Sequence, residues 1–207
     1  MLVTNYIIYD KIGGMMRREL ISALRRYPVF TVKDIAGVLN KKMSYAYLVA
    51  HRLKKAGAIH EIEKGKYTLE DDPFIVCSWV VWPSYISGWA ALSYYKLTEQ
   101  LPFTLHVATT RKRKEKTLFF ENTKIEFIKI RKSAFFGFNR VIYQGKEIFV
   151  AEKEKAIVDA LAAKKMTLPE AVEIIKSNKR KINKSRVFSF AKTSKGLAKR
   201  LRAALRD

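Results

Sequence analysis

The chain has 207 residues, enough for one large or two small domains. Its 48% hydrophobic content suits a protein with a real core, whereas 41 Lys and Arg against 19 Asp and Glu leave a formal charge of +22. That excess favours a polyanionic partner, either nucleic acid or an anionic membrane surface. A single cysteine, Cys77, excludes an intrachain disulfide and any multi-cysteine metal site. No run reaches the apolar length of a transmembrane helix and the first residues lack a signal-peptide pattern, so nucleic acid is favoured over a membrane, and the expected location is cytoplasmic.

In chain order, Met1 to Ile12 is mixed and partly β-branched, suiting a small strand or an ordered arm. Gly13-Gly14 separates it from a helix predicted over Met15 to Tyr27, with Met16, Leu20, Ile21 and Leu24 as its apolar stripe and Pro28 closing it. The next helix carries Val32, Ile35, Ala36 and Leu39 on one face, with Thr31 as its N-cap and Asp34 in its first turn. Asn40-Lys41-Lys42 breaks the pattern. A second helix starts near Ser44, buries Ala46, Val49, Ala50 and Leu53, and ends at Gly57. Ile59 and Ile62 lead into the turn Lys64-Gly65-Lys66, and Tyr67 and Leu69 return as a second strand.

Helix, short turn, helix and hairpin make the arrangement of a winged helix-turn-helix. At 100° per residue, the face opposite the buried stripe of the second helix carries Ser44, Leu48, His51 and Lys55, flanked by Tyr47 and Arg52. These side chains suit phosphates and base edges, and Leu48 suits a thymine methyl or the wing. The expected readers are Ser44, Tyr45, Tyr47, His51 and Arg52, with Lys42, Lys55, Lys64 and Lys66 as anchors. The competing interpretation is a helical pair used only for packing or dimerisation. Residues 1–70 hold 13 Lys and Arg against 6 Asp and Glu.

The acidic, proline-containing Glu70-Asp71-Asp72-Pro73 marks the expected boundary between a first domain over 1–70 and a second over 73–207. Phe74 to Trp82 is strongly apolar and is stopped by Pro83. Ser84 to Tyr95 has small and aromatic residues at helical spacing. A strand over Phe103 to Thr109 leads into the basic loop Arg111-Lys112-Arg113-Lys114, whose first three cations are further candidates for DNA contact. Strands are expected at Leu118–Phe120, Lys124–Ile130, Phe138–Tyr143 and Glu147–Ala151, with turns at Asn122 and Gln144-Gly145 and one buried sheet face. A helix follows from Glu152, burying Ala156, Ile157, Ala160 and Leu161; Glu152 and Glu154 suit its N-terminal dipole and Asp159 reads as an exposed acid.

The string from Tyr85 to Gln100 (YISGWAALSYYKLTEQ) resembles the signature of the AbiEi-type antitoxin and transcriptional-regulator family. So do His106-Val107-Ala108-Thr109, the basic loop, Ile148-Phe149-Val150-Ala151, and Glu154 to Leu161 (EKAIVDAL), in the same order. The family places this domain after a winged helix whose wing ends in a string like Gly65-Lys66-Tyr67, so the resemblance spans about residues 15–165. Lys96 departs from it where a glycine is expected, pointing to a different helix end. The resemblance implies a repressor of its own operon, the antitoxin of a type IV toxin–antitoxin system, commonly encoded beside a nucleotidyltransferase-like toxin. Stand-alone regulators without a toxin also occur among such proteins.

From about residue 167 the chain becomes a basic tail. Thr167-Leu168-Pro169-Glu170 reads as a helix start, with Ala171, Ile174 and Ile175 inward. Residues 176–207 carry 12 Lys and Arg against one acid, Asp207. Helices over Lys184–Ala191 and Gly196–Leu205 would bury Val187, Phe188, Leu197, Leu201 and Leu205. The remaining face holds Lys179, Arg180, Lys181, Lys184, Arg186, Lys192, Lys195, Lys199, Arg200, Arg202 and Arg206, a second phosphate-contacting patch without the alternating acids of an ordinary solvated helix.

No catalytic or metal constellation is present in the sequence. His51, His60 and His106 lack metal-ligand spacing, Cys77 sits in an apolar run, and neither a nucleophile elbow nor a glycine-rich phosphate loop occurs. Trp79, Trp82, Trp89, Tyr94 and Tyr95 read as core and interface. The expectation is an α+β protein, not an enzyme and without cofactor: a winged helix-turn-helix, then a mixed α/β domain closed by basic helices. The expected function is sequence-specific repression on double-stranded operator DNA, with two copies on an inverted repeat. A protein-interaction antitoxin that neutralises its toxin, and RNA binding through the tail, are the other classes.

Overall fold

The computed structural model describes residues 11–12, 15–99 and 102–206. The readings of residues 1–10, Gly13-Gly14 and Gln100 lie outside them. The architecture is mixed α and β, and the chain divides into two compact units, Met1–Val76 and Cys77–Asp207.

In the first unit, β1 (Lys11–Ile12) pairs antiparallel with β2 (Met15–Met16). The first helix, α1 (Arg17–Leu24), is therefore shorter at its start than the expected 15–27, because Met15 and Met16 belong to a strand ladder. Its Leu20 and Leu24 are fully buried. Strand β3 (Phe30–Thr31) runs directly into α2 (Val32–Leu39). The Asp34 carboxylate accepts both the backbone N–H and the hydroxyl of Thr31 at 2.7 Å, which closes the helix start. Val32, Ile35, Ala36 and Leu39 are buried, as the 3-4-3 spacing predicts.

Asn40 turns the chain in the left-handed region at φ 49°, and α3 (Met43–Lys55) follows after Lys41 and Lys42. Ala46, Val49, Ala50 and Leu53 form its buried stripe. At its end Gly57 takes φ +63°, the Gly57 N–H donates to the Lys54 carbonyl and the Ala58 N–H to the Leu53 carbonyl, both at 2.9 Å. The hairpin of β4 (His60–Glu63) and β5 (Lys66–Thr68) then pairs with β3, giving a three-stranded sheet in the order β3-β5-β4. Phe30 of β3 faces Tyr67, with ring centroids 6.3 Å apart, and joins the core of this unit. That third strand is too short to show in the sequence pattern.

The short helix α4 (Pro73–Cys77) contains the division in the chain. The second unit is organised on a six-stranded sheet: β6 (Ser84–Ser87), β7 (Thr104–Thr109), β8 (Thr117–Phe120), β9 (Thr123–Lys129), β10 (Phe138–Tyr143) and β11 (Lys146–Ala151). Their order is β10-β11-β6-β7-β9-β8, with β11–β6 and β7–β9 parallel and the other neighbours antiparallel. Both hairpin turns, at Glu121-Asn122 and Gln144-Gly145, have positive φ at each central residue, the turn that follows strand twist. Ile125, Phe127, Ile148 and Val150 supply the buried face.

Ser84 to Tyr95 is not one helix. Ser84–Ser87 is an interior strand with every residue buried, and Gly88 at φ +60° bends the chain into α5 (Gly88–Tyr94). A strand paired on both sides and buried on both faces loses the alternation by which strands are recognised, so its apolar run passes for helix. Helices α6 (Lys153–Ala162), α7 (Leu168–Ser177), α8 (Lys184–Ala191) and α9 (Leu197–Ala204) complete the unit. Thr167 and Glu170 form a capping box at α7. Leu161 is only half-buried, whereas Ala156, Ile157 and Ala160 are buried.

Lys96 lies just past the end of α5. It adopts φ +54°, with its N–H on the Ser93 carbonyl at 2.9 Å and the Leu97 N–H on the Leu92 carbonyl at 3.0 Å. This is the left-handed closure that glycine makes without penalty, so the lysine carries backbone strain. Lys96→Gly is expected to stabilise the protein by about 1 kcal/mol. A higher denaturant midpoint at unchanged m-value is the expected result; an unchanged or lower midpoint would count against the strain.

Candidate nucleic-acid interface

Helix α3 presents Lys42, Ser44, Tyr47, Leu48, His51, Arg52 and Lys55 to solvent, opposite its buried stripe. Tyr47 is 57% exposed, Leu48 43% and Met43 42%, a concentration of large apolar surface unusual for a solvated helix. Met43 was missed because a single apolar residue next to a helix start carries no sequence signal. Tyr45 is different: it is half-buried and packs against the core, so its ring is turned away from the row. The periodicity explains this, since Tyr45 lies one position from the buried Ala46.

The hairpin is fastened to this helix. The Glu61 carboxylate receives the Lys54 ammonium from α3 and, at 3.5 Å, the Gly65 N–H at the hairpin turn. The Lys54 hydrogen bond holds the Glu61 carboxyl below its ordinary range. Lys64 stands exposed at the tip, but Lys66 pairs with Glu63 at 2.8 Å, so the two tip cations are unequal. Neither Glu61 nor Glu63 carries a signal of these pairings in the sequence, because Lys54 lies seven residues from Glu61 on a different element.

In the second unit, Arg111, Lys112 and Arg113 border a cavity of about 530 Å³, whose wall also holds Lys116, Lys129 and Lys165. The Arg113 guanidinium lies 4.2 Å from the centre of the Phe127 ring, and the Arg111 side chain donates to the Trp82 carbonyl at 3.2 Å. Glu126 also lines the cavity and is held by Lys165 at 2.7 Å. Burial acts to raise the Glu126 carboxyl, yet Lys165, His106 and Lys124 together keep it below its ordinary range. Nothing in the sequence joins Lys129 and Lys165 to the basic loop; parallel pairing of β7 with β9 and the end of α6 bring them there.

Of the tail cations, Lys179, Arg180, Lys181, Lys184, Lys199 and Arg200 are exposed. Arg186 is committed elsewhere: it pairs with Glu152 and its guanidinium lies 5.4 Å from the Phe190 ring centre. The Glu154 carboxylate takes the Asn183 N–H at 2.8 Å, so the cap of α8 is pinned to α6.

Asp159 is not an exposed acid. It is 6% exposed, pairs with Lys155, and accepts the Tyr85 hydroxyl at 2.8 Å and the Ser87 hydroxyl at 2.9 Å. Lys155 is 1% exposed, with its Nζ 5.3 Å from the Phe136 ring centre and 6.0 Å from that of Tyr85. Burial pushes the Asp159 carboxyl up against the opposing pull of Lys155 and the two hydroxyls. Burial and the Asp159 charge push the Tyr85 phenol far above its ordinary value. The i,i+4 spacing of Lys155 and Asp159 was visible, but it ordinarily marks a surface pair. Trp82, read as core or interface, is 57% exposed and stacks on Trp79 with centroids 5.8 Å apart.

No protein-family model and no curated protein matches this chain.

Among the described residues, no group of three or more His, Cys, Asp or Glu is placed to hold a metal ion. Cys77 is buried. Nor is any helix among the described residues long and apolar enough to cross a membrane.

Two predictions follow from the buried polar groups. Lys155→Met would leave Asp159 buried without its cation and is expected to cost about 3–5 kcal/mol in denaturant unfolding; a cost near zero would mean that the pair contributes nothing. His106 is 8% exposed, its Nδ1 has no hydrogen-bond partner, and its Nε2 lies 3.7 Å from Glu126. Burial lowers its folded pKa despite Glu126. A depressed folded value stabilises above the unfolded value of about 6.5 and is lost as pH falls towards the folded value. Calorimetry between about pH 7 and 5 should therefore show a steeper fall in Tm for the natural chain than for His106→Asn; parallel curves would refute the assignment.

Proposed function

We propose that this protein is a transcriptional repressor that binds double-stranded DNA sequence-specifically through a winged helix-turn-helix in its first unit. The observation that carries this reading is the outward row of α3: Ser44, Tyr47, Leu48, His51 and Arg52, all exposed and opposite a fully buried stripe. One helix thus offers hydrogen-bonding, cationic and apolar groups together, the mixture that base edges and thymine methyls require. Lys42, Lys55 and Lys64 flank it as phosphate anchors. The exposed tail cations add non-specific affinity, with the salt dependence that phosphate contacts bring. Tyr45 and Arg186 are left out of this interface because each is engaged within its own unit.

The resemblance to AbiEi-like regulators supports the further reading that the repressor controls its own operon in the cytoplasm, as the antitoxin of a type IV system opposing a nucleotidyltransferase-like toxin. A second reading, in which the second unit meets a protein partner directly, is favoured by the exposed Trp82 packed against the half-buried Trp79 and Phe149, with the three rings 5.0 to 5.8 Å apart.

The test is a gel-shift titration on the DNA upstream of the protein's own gene and on random DNA, at about 50 and 200 mM salt. Tighter upstream binding that persists at the higher salt is expected. His51→Ala combined with Arg52→Ala should weaken upstream binding by about tenfold to a hundredfold while changing random-DNA binding far less. Equal losses on both DNAs would remove α3 from the reading role.

A further inference from the structure

The cavity beside β9 is a different kind of surface from the outward row of α3. Its volume, about 530 Å³, lies within the range of small-ligand sites. Its cations arrive from three separate parts of the chain: the loop after β7, the end of β9 and the segment after α6. With Glu126 the single acid among its lining residues, the wall keeps an excess of five positive charges. Lys112, Lys116 and Lys129 have no ion-pair partner among the described residues.

Part of the wall is already organised. Thr109 donates its hydroxyl to the Pro83 carbonyl at 2.7 Å and receives the Arg111 N–H at 3.1 Å, fixing the base of the loop. Phe127 supports the Arg113 guanidinium, whose Nε donates to the Glu115 carbonyl at 3.0 Å. Holding these side chains in place reduces the rotamer entropy lost when an anion enters.

We propose that this cavity binds the phosphate chain of a small molecule, in the class of nucleoside triphosphates. Duplex DNA meets cations spread along a protruding surface, whereas here six of them line one hollow of about 530 Å³, a size that suits a compact polyanion. Arginine forks and lysine point charges together suit several phosphate oxygens at close spacing. This reading does not depend on DNA binding by the first unit, and it assigns Arg111, Lys112 and Arg113 to the small ligand.

The experiment is isothermal titration of the full chain with inorganic triphosphate, and separately with ATP, at about 150 mM salt. One saturable site per chain is expected, weakened about tenfold or more by Lys112→Glu and by Lys129→Glu. The tail variants Lys192→Glu and Lys195→Glu, with the same change of charge, should alter affinity by less than about twofold. Circular dichroism monitors folding, and Lys112→Ala on the exposed loop replaces any variant that fails it. ATP binding no tighter than triphosphate would still support recognition of the phosphate chain. Absence of saturable binding, or equal weakening by the tail variants, would overturn the proposal. So would a 5′-phosphorylated oligonucleotide that binds more tightly than either and is lost with the cavity variants, which would give the cavity to a nucleic-acid strand end.

Discussion

The second unit turns on a buried ion pair. Lys155 and Asp159 belong to one turn of α6, yet both are withdrawn from water, which costs several kcal/mol for each ion unless the remaining valences are filled. They are filled from the sheet. Tyr85 and Ser87, two residues apart on β6, place their hydroxyls on one oxygen of Asp159, and Lys155 occupies the other. The arrangement fixes α6 against β6 in register as well as in depth. Sliding the helix by one residue would strand a carboxylate and two hydroxyls together. Apolar packing alone would tolerate such a shift more easily.

The positive charge of the chain is divided by shape. On α3 it accompanies Tyr47 and Leu48 on an exposed helix face. Around the cavity it is brought together from a loop, a strand and the segment after a helix. Along the tail it lies on short amphipathic helices, where the cations stack partly on the unit's own aromatics, as Arg202 does with Phe188 at 5.3 Å. A net charge of +22 describes none of these separately. The acids that matter are those that withdraw individual cations: Glu63 from the β4–β5 hairpin, Glu126 from the cavity and Glu152 from the tail.

Local chemistry made much of the fold legible. The 3-4-3 spacing gave the buried stripes of α2 and α3, and turn residues gave the two hairpins of the second sheet. Thr167 with Glu170 marked the start of α7. Three features stayed hidden because they rest on contacts between distant residues. Strand β6 is buried on both faces and reads as helix. Strand β3 has two residues and gains its identity only from Tyr67 and Lys66 across the ladder. Asp159 reads as a surface acid until Tyr85 and Ser87 are brought to it. The candidate interface divided in the same way: the outward row of α3 followed from its periodicity, whereas the cavity needed Lys129 and Lys165, which no motif connects.

The position of β6 also bears on synthesis. The Tyr85 hydroxyl and its acceptor Asp159 are 74 residues apart, an interval the ribosome crosses in roughly 4–15 s at about 5–20 residues per second. Between the synthesis of Thr109 and that of Lys146, β6 has β7 as a neighbour but not yet β11, so its other edge is unmatched, and its hydroxyls wait longer still for Asp159. The first unit waits for a shorter stretch of chain, because its sheet closes when Tyr67 reaches Phe30. The nascent chain therefore carries a finished amino-terminal unit ahead of a half-built sheet, and that open edge is where wrong strand partners compete during translation.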